Sequence, residues 1–124
     1  MARKPSPTLT DGEARLMNVL WKQGQATVSE VVASLPRRPP VAYNTVQTLL
    51  GILEDKGYVA HEQVGRRFVY RPVVEQNVAR RRALSHLVKS LFDDSPSLLV
   101  LNVLDDERLE QSEVERLKKL IGDA

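Results

Sequence analysis

Cysteine is absent from the 124 residues. That excludes disulfides, thiolate zinc sites and iron–sulfur clusters, and two histidines are too few to build a ligand cluster, so the chain calls for no metal and no cofactor. Long apolar runs are missing as well. None approaches the roughly 18 residues of a membrane span, and the basic start MARKPSPT leads into polar sequence instead of an apolar signal-peptide core. The expectation is a cytoplasmic protein that is not inserted in a membrane. Catalytic motifs are lacking too: there is no GxxxxGK phosphate loop and no HExxH. Ser85-His86 and Asp93-Asp94 are sequence neighbours that do not face each other on a helix, and no glycine-rich nucleophile turn accompanies them. The chain reads as a non-enzyme with no small-molecule substrate.

The length suits one modest domain, or a small domain with a helical appendage. The net charge of +2 is unevenly placed. Residues 1–72 hold 10 Lys and Arg against 6 Asp and Glu, whereas 73–124 hold 8 against 10. The first part is therefore the one suited to a polyanion.

Three segments open with a capping-box pattern, in which a hydroxyl and a Glu three residues later satisfy orphan N–H groups reciprocally: Thr10-Asp-Gly-Glu13, Thr27-Val-Ser-Glu30 and Ser112-Glu-Val-Glu115. After the first, Ala14, Leu16, Met17, Leu20 and Trp21 form an apolar stripe that Gly24 stops. After the second, Val28, Val31, Val32 and Leu35 recur at helical spacing until Pro36. A third helix runs from about residue 42, with Ala42, Val46, Leu49, Leu50 and Leu53 as its buried face and Lys56-Gly57 as its end. The period then changes. Residues 58–62 and 67–71 form two short strands around Gln63-Val64-Gly65-Arg66, a hairpin closed by Pro72. Helices follow over 74–91, about 96–104 with Ser95 as cap and Pro96 at the first helical position, and 113–121.

At about 100° per residue, Asn44, Gln47, Thr48 and Gly51 fall opposite the apolar face of the third helix. That face reads as uncharged, where a solvated helix would carry Glu and Lys. Short neutral donors and acceptors suit base edges, and the glycine would let a DNA strand come close. Positive charge flanks the face: Arg37 and Arg38 before the helix, Arg66 and Arg67 at the hairpin tip. Three helices followed by a hairpin is the order of a winged helix-turn-helix, whose third helix enters the major groove. The bland alternative is an ordinary solvated face. A winged-helix module for protein or RNA contact is the other alternative, and it would lack duplex sequence preference.

The series LTDGEARLMNVLW, TVSEVVASL, AYNTVQTLLGILEDKGYVAHEQVGRRFVYRP and SLLVLNVL resembles the penicillinase repressor family, of the BlaI/MecI/CopY type, across nearly the whole chain. Its most specific pieces are the segment from Met17 to Trp21, the helix Tyr43-x-Thr45-Val46-x-Thr48-Leu49-Leu50 with its following Lys56-Gly57, and the wing ending Tyr70-x-Pro72. The resemblance implies a mainly α protein with a small antiparallel β-hairpin: a flexible basic N-terminus over 1–8, a winged helix-turn-helix over 9–72 and a helical dimerization domain over 73–124. It further implies a homodimeric repressor on a palindromic double-stranded DNA operator that controls antibiotic-resistance or cell-envelope stress genes. DNA contacts are expected from Arg37, Arg38, Tyr43, Asn44, Thr45, Gln47, Thr48, Arg66 and Arg67.

Two departures from the family pattern stand out. Copper-responsive members carry a C-terminal cysteine cluster, which this chain lacks. In β-lactam-responsive members a membrane sensor metalloprotease triggers cleavage after an Asn that precedes Phe; here Asn102 precedes Val103. Asn102 is either the retained cleavage position or a polar residue on an interfacial helix. The apolar supply of the last 50 residues, Leu84, Leu87, Val88, Leu91, Leu98, Leu99, Leu101, Val103, Leu104, Leu117, Leu120 and Ile121, exceeds what three short helices can bury by themselves. It covers either a partner chain or the first domain. Arg80-Arg81-Arg82 reads as a solvated helix face in preference to a phosphate contact.

Overall fold

The computed structural model describes residues 8–36 and 39–122, with side chains to Leu120. Most of the expected basic N-terminal segment, together with Arg37 and Arg38, lies outside the described residues. The elements are α1 (Asp11–Gln23), β1 (Ala26–Thr27), α2 (Val28–Ser34), α3 (Tyr43–Asp55), β2 (Val59–Val64), β3 (Arg67–Pro72), α4 (Gln76–Leu91), α5 (Pro96–Leu104) and α6 (Gln111–Gly122). They fall into two compact units that meet at Ala83 and Leu84, within α4.

The first two capping boxes form. Thr10 Oγ1 accepts from the Glu13 amide at 3.2 Å while Glu13 Oε1 accepts from the Thr10 amide at 3.0 Å, and Thr27 and Glu30 repeat the pattern at 3.2 and 2.9 Å. Gly24 ends α1 with φ of 87°, a conformation that costs glycine nothing. The third box does not form, because α6 begins at Gln111 and Ser112 is already helical. Ala42 is likewise corrected: it is the exposed N-cap of α3, without a side-chain capping bond, and the buried stripe starts at Val46. α3 closes in a Schellman motif, with the Tyr58 amide donating to Leu53 O at 2.9 Å and the Gly57 amide to Glu54 O at 3.0 Å. Gly57 takes φ of 82° there, and the flanking Leu53 and Tyr58 are both buried.

The sheet has three antiparallel strands in the order β1-β3-β2, not the two expected from sequence. β1 is two residues long and adds Ala26 opposite Tyr70 and Thr27 opposite Val69. So short a strand leaves no alternation to read. The hairpin strands are longer than expected, leaving the two-residue turn Gly65-Arg66 with Gly65 at φ of 64°. Strand pairing puts Val59, His61 and Gln63 on one face with Pro72, Tyr70 and Phe68. Val59 and Tyr70 are buried, whereas His61, Gln63 and Phe68 are exposed, so the inner half of the hairpin packs and the outer half projects as a wing.

The core of the first unit joins Leu16, Met17 and Leu20 of α1 to Val28 and Val31 of α2, Val46, Leu50 and Leu53 of α3, and Tyr58, Val59 and Tyr70 of the sheet region. Ala79 of α4 also belongs to it. Trp21 Nε1 donates to Val74 O at 2.9 Å, fastening the segment after the sheet to α1. The Arg82 guanidinium lies 5.7 Å from the Tyr58 ring centre, a cation–π distance.

A polar pair sits among these apolar groups. Glu13 is 3% exposed, and Lys56 Nζ reaches its Oε1 at 2.6 Å while donating to Thr8 O at 3.0 Å. Burial by itself would raise the Glu13 carboxyl; the bonds from Lys56 and Thr10 outweigh it and hold the group below its ordinary value. The folded state therefore favours the carboxylate. The resulting stability is complete above the unfolded carboxyl's titration, about pH 4.3, and is lost as pH falls through the lower folded value.

In the second unit, Ser95 caps α5, its Oγ accepting from the Leu98 amide at 3.2 Å. α5 buries none of its residues. Leu84, Leu87, Leu91, Leu98, Leu101, Val103 and Leu120 are all exposed, from 38% for Leu87 and Leu98 to 73% for Leu91. Leu117 is half-buried and Val88 buried, while the Ile121 side chain lies outside those described.

Lys56→Met should destabilise the protein by about 3–5 kcal/mol at neutral pH, because it strands a buried carboxylate. Adding Glu13→Gln should recover much of the loss. Chemical denaturation of the single and double variants checks both outcomes.

Candidate nucleic-acid interface

α3 lies across the first unit with Val46, Leu50 and Leu53 wholly buried, which turns its opposite face outward. Tyr43, Asn44, Thr45, Gln47, Thr48 and Gly51 are all exposed. Among the described residues, none of the side chains of Tyr43, Asn44, Thr45, Gln47 and Thr48 takes part in a hydrogen bond. Their donors and acceptors remain available to a ligand. The centre of the face, Asn44, Gln47, Thr48 and Gly51, spans about 100° of the helix circumference, with Thr45 to one side and Tyr43 to the other.

The face is not wholly uncharged, as the sequence pattern had implied. Asp55 falls in the same angular sector at the C-terminal end of α3 and is exposed. About 16 Å of helix axis separate it from Asn44, so the carboxylate marks one end of a face that is otherwise neutral. Glu54 lies at the wing-side margin and is engaged by His61 at 2.6 Å.

Arg66 occupies the second turn position at the wing tip and is exposed. Arg67 is exposed too, but strand alternation sends it to the sheet face opposite His61 and Phe68. There it acts on Glu30 of α2, whose carboxyl is held below its ordinary value chiefly by the Thr27 capping bonds and in small part by the Arg67 charge. The two arginines are thus not equivalent: Arg66 crowns the wing and Arg67 faces toward α2.

Sequence reasoning missed three features of α3 and the wing. The first is the Glu13–Lys56 pair, which anchors the C-terminal end of α3 to the start of α1. The capping pattern marked Glu13, and Lys56 was visible only as a helix terminus. The second is the contact of His61 with Glu54. The third is Phe68, exposed on the wing face shared with His61, which strand alternation could have located. Burial raises the Tyr70 hydroxyl above its usual range, with smaller contributions from Glu54 and Tyr43.

A three-helix unit with a projecting hairpin and an unengaged polar face on its third helix is a winged helix-turn-helix. The chain belongs to the penicillinase repressor family, whose model matches residues 9–123. It is therefore a winged-helix transcriptional repressor of the BlaI/MecI type and not an enzyme. It is 27% identical to the penicillinase repressor of Bacillus licheniformis over 118 residues, covering 95% of this chain and 92% of that protein. It is 22% identical to the methicillin resistance regulatory protein MecI of Staphylococcus aureus over 114 residues, covering 92% and 93%. The solution structure of the DNA-binding domain of the repressor BlaI superposes with a TM-score of 0.52 at 32% identity, over 63% of this chain and 93% of that one. Among the described residues, no helix is long and apolar enough to cross a membrane.

A Cβ added at Gly51 would meet nothing within 4 Å, so no part of the described chain requires the glycine. Gly51→Ala should stabilise α3 by about 0.5–1 kcal/mol, since alanine restricts the unfolded chain and favours helix. Thermal unfolding reads this directly. If a duplex approaches the backbone at Gly51, the same variant should bind it more weakly despite its greater stability.

Proposed function

We propose that the chain acts as a homodimer that binds a palindromic operator and represses transcription, with residues 9–72 reading DNA and residues 73–124 joining two copies. The observation that carries this reading is the exposed face of α3, whose neutral polar side chains have no hydrogen-bond partners among the described residues. In a major groove, Asn44, Gln47 and Thr48 can address base edges, with Tyr43 and Thr45 at the margins. Arg66, and with it Arg37, Arg38 and Arg67, supplies charge for phosphates.

The exposed leucines of the second unit support the dimer. Leu84, Leu87, Leu91, Leu98, Leu101 and Leu120 form an apolar supply that the chain leaves uncovered, and a second copy is the partner whose surface is always at hand. Two-fold symmetry would set the reading helices about 34 Å apart or at a multiple of that spacing, which makes the site a dyad. Losing one half-site would forfeit the second set of contacts, so weakening the dimer weakens repression.

The regulated genes, on this reading, serve antibiotic resistance, which the names of the relatives support, or cell-envelope stress. Relief would come through a membrane sensor metalloprotease acting between Asn102 and Val103. Asn102 is exposed on α5, but its Nδ2 donates to Leu98 O at 2.9 Å within the helix. Cleavage there would need α5 to unwind locally.

DNase footprinting upstream of the protein's own gene and of neighbouring operons, over a salt series, tests the reading. A protected dyad whose occupancy falls steeply with salt is the expected result; protection without a dyad, or none, would count against it and favour a module for protein or RNA contact. Leu101→Asp should abolish operator binding while the first unit stays folded. Gln47→Ala should change base preference, and Arg66→Ala should weaken all sequences alike and reduce the salt slope by about one.

A further inference from the structure

The outer half of the wing has little to hold it. From His61 to Phe68 every residue is exposed, and burial resumes only at Val69 and Tyr70. Among the described residues, one polar tie joins this stretch to α3: His61 Nδ1 lies 2.6 Å from Glu54 Oε2. The imidazole is also braced within the hairpin. Phe68 meets it edge-on, with ring centres 5.0 Å apart and planes at 75°, and Tyr70 lies at 5.4 Å. Both partners of the tie are about one-third exposed, so it adds little to global stability. Its value is its location, since it joins the margin of the reading helix to the middle of β2.

We propose that Glu54 and His61 are positioning residues, a clamp that sets the angle of the wing against α3 and so decides where Arg66 meets a duplex held by that helix. The inference rests on the operator-binding reading above and extends it to two residues that need not touch DNA. Glu54 lies beside Gln47 in angular position on α3, within about 20°. A carboxylate so close to the reading face should repel a duplex, and simple electrostatics predicts that removing its charge tightens binding. The clamp predicts the reverse.

The test uses the full-length chain with Glu54→Gln, His61→Asn and the double variant. Residual dipolar couplings of amides 60–70, compared with those of α1 to α3 in the free protein, report the wing's orientation. Titration of an operator duplex over a salt series reports the consequence. The expected result is altered or averaged couplings for the wing with unchanged couplings for the helices. Operator affinity should fall about threefold to tenfold in each single variant, with little further loss in the double. The salt slope should flatten toward that of Arg66→Ala, base preference should be kept, and Arg66→Ala should cost less in the Glu54→Gln background than in the wild type. Unchanged wing couplings in all three variants would overturn the proposal, as would operator binding by Glu54→Gln that is equal to or tighter than wild type. Should Glu54→Gln fail to fold, His61→Asn carries both measurements. Should the wild-type protein prefer no duplex, the operator-binding reading falls, while the couplings still decide whether the clamp exists.

Discussion

The buried pair of Glu13 and Lys56 ties the start of α1 to the end of α3, 43 residues away in sequence. Glu13 serves twice, as the reciprocal member of the α1 capping box and as the counter-charge of Lys56 at the end of α3. Lys56 in turn holds the carbonyl of Thr8. A buried charge is tolerated when it is paired and hydrogen-bonded, so each member of the pair requires the other wherever the start of α1 and the end of α3 stay packed. Apolar packing gives α3 its buried side; the Schellman turn at Gly57 ends the helix, and the ion pair fastens that end to α1.

From that constraint the surface follows. With the end of α3 fixed and Val46, Leu50 and Leu53 packed inward, the outward direction of Asn44, Gln47 and Thr48 is no longer free. The strands leave from Tyr58, which is both the last residue of the Schellman turn and a core side chain. Hairpin and helix thus share one hinge-like junction, and whatever governs the wing must act beyond it. The second unit obeys different physics. Its helices are regular and Ser95 caps α5, yet their leucines stay uncovered. Local rules suffice to make the helices; they do not supply a core.

Much of this was legible in the sequence. The capping boxes at Thr10 and Thr27, the stop at Gly24, the Ser95-Pro96 start and the hairpin about Gly65 are all short-range patterns, and short-range patterns are what a sequence displays openly. The polar face of α3 was legible for the same reason, since helical spacing is local. The misses have a common cause. β1 exists only because β3 lies beside it, and two residues carry no period. The Glu13–Lys56 and Glu54–His61 contacts join residues whose pairing depends on the completed fold. Ser112 shows the opposite error: a local capping pattern overridden by a helix that starts at Gln111, two residues before the expected start at 113. Ala42 was assigned to the buried face by periodicity, but a residue at the N-cap has left the helical path and no longer follows it.

Because β1 covers only Ala26 and Thr27, among the described residues β3 has no strand neighbour on that side from Arg67 to Phe68, and β2 has none along its outer edge. The wing is therefore a ribbon with open hydrogen-bonding groups on both sides, the arrangement that invites pairing between separate molecules. The residues along it read as a defence against that outcome. Glu62, Arg66, Arg67 and Arg71 place charge on a ribbon only six residues long in each strand, and its free edges are too short and too charged to template a growing sheet. The same brevity that makes the wing depend on α3 for its direction keeps it from becoming a site of aggregation.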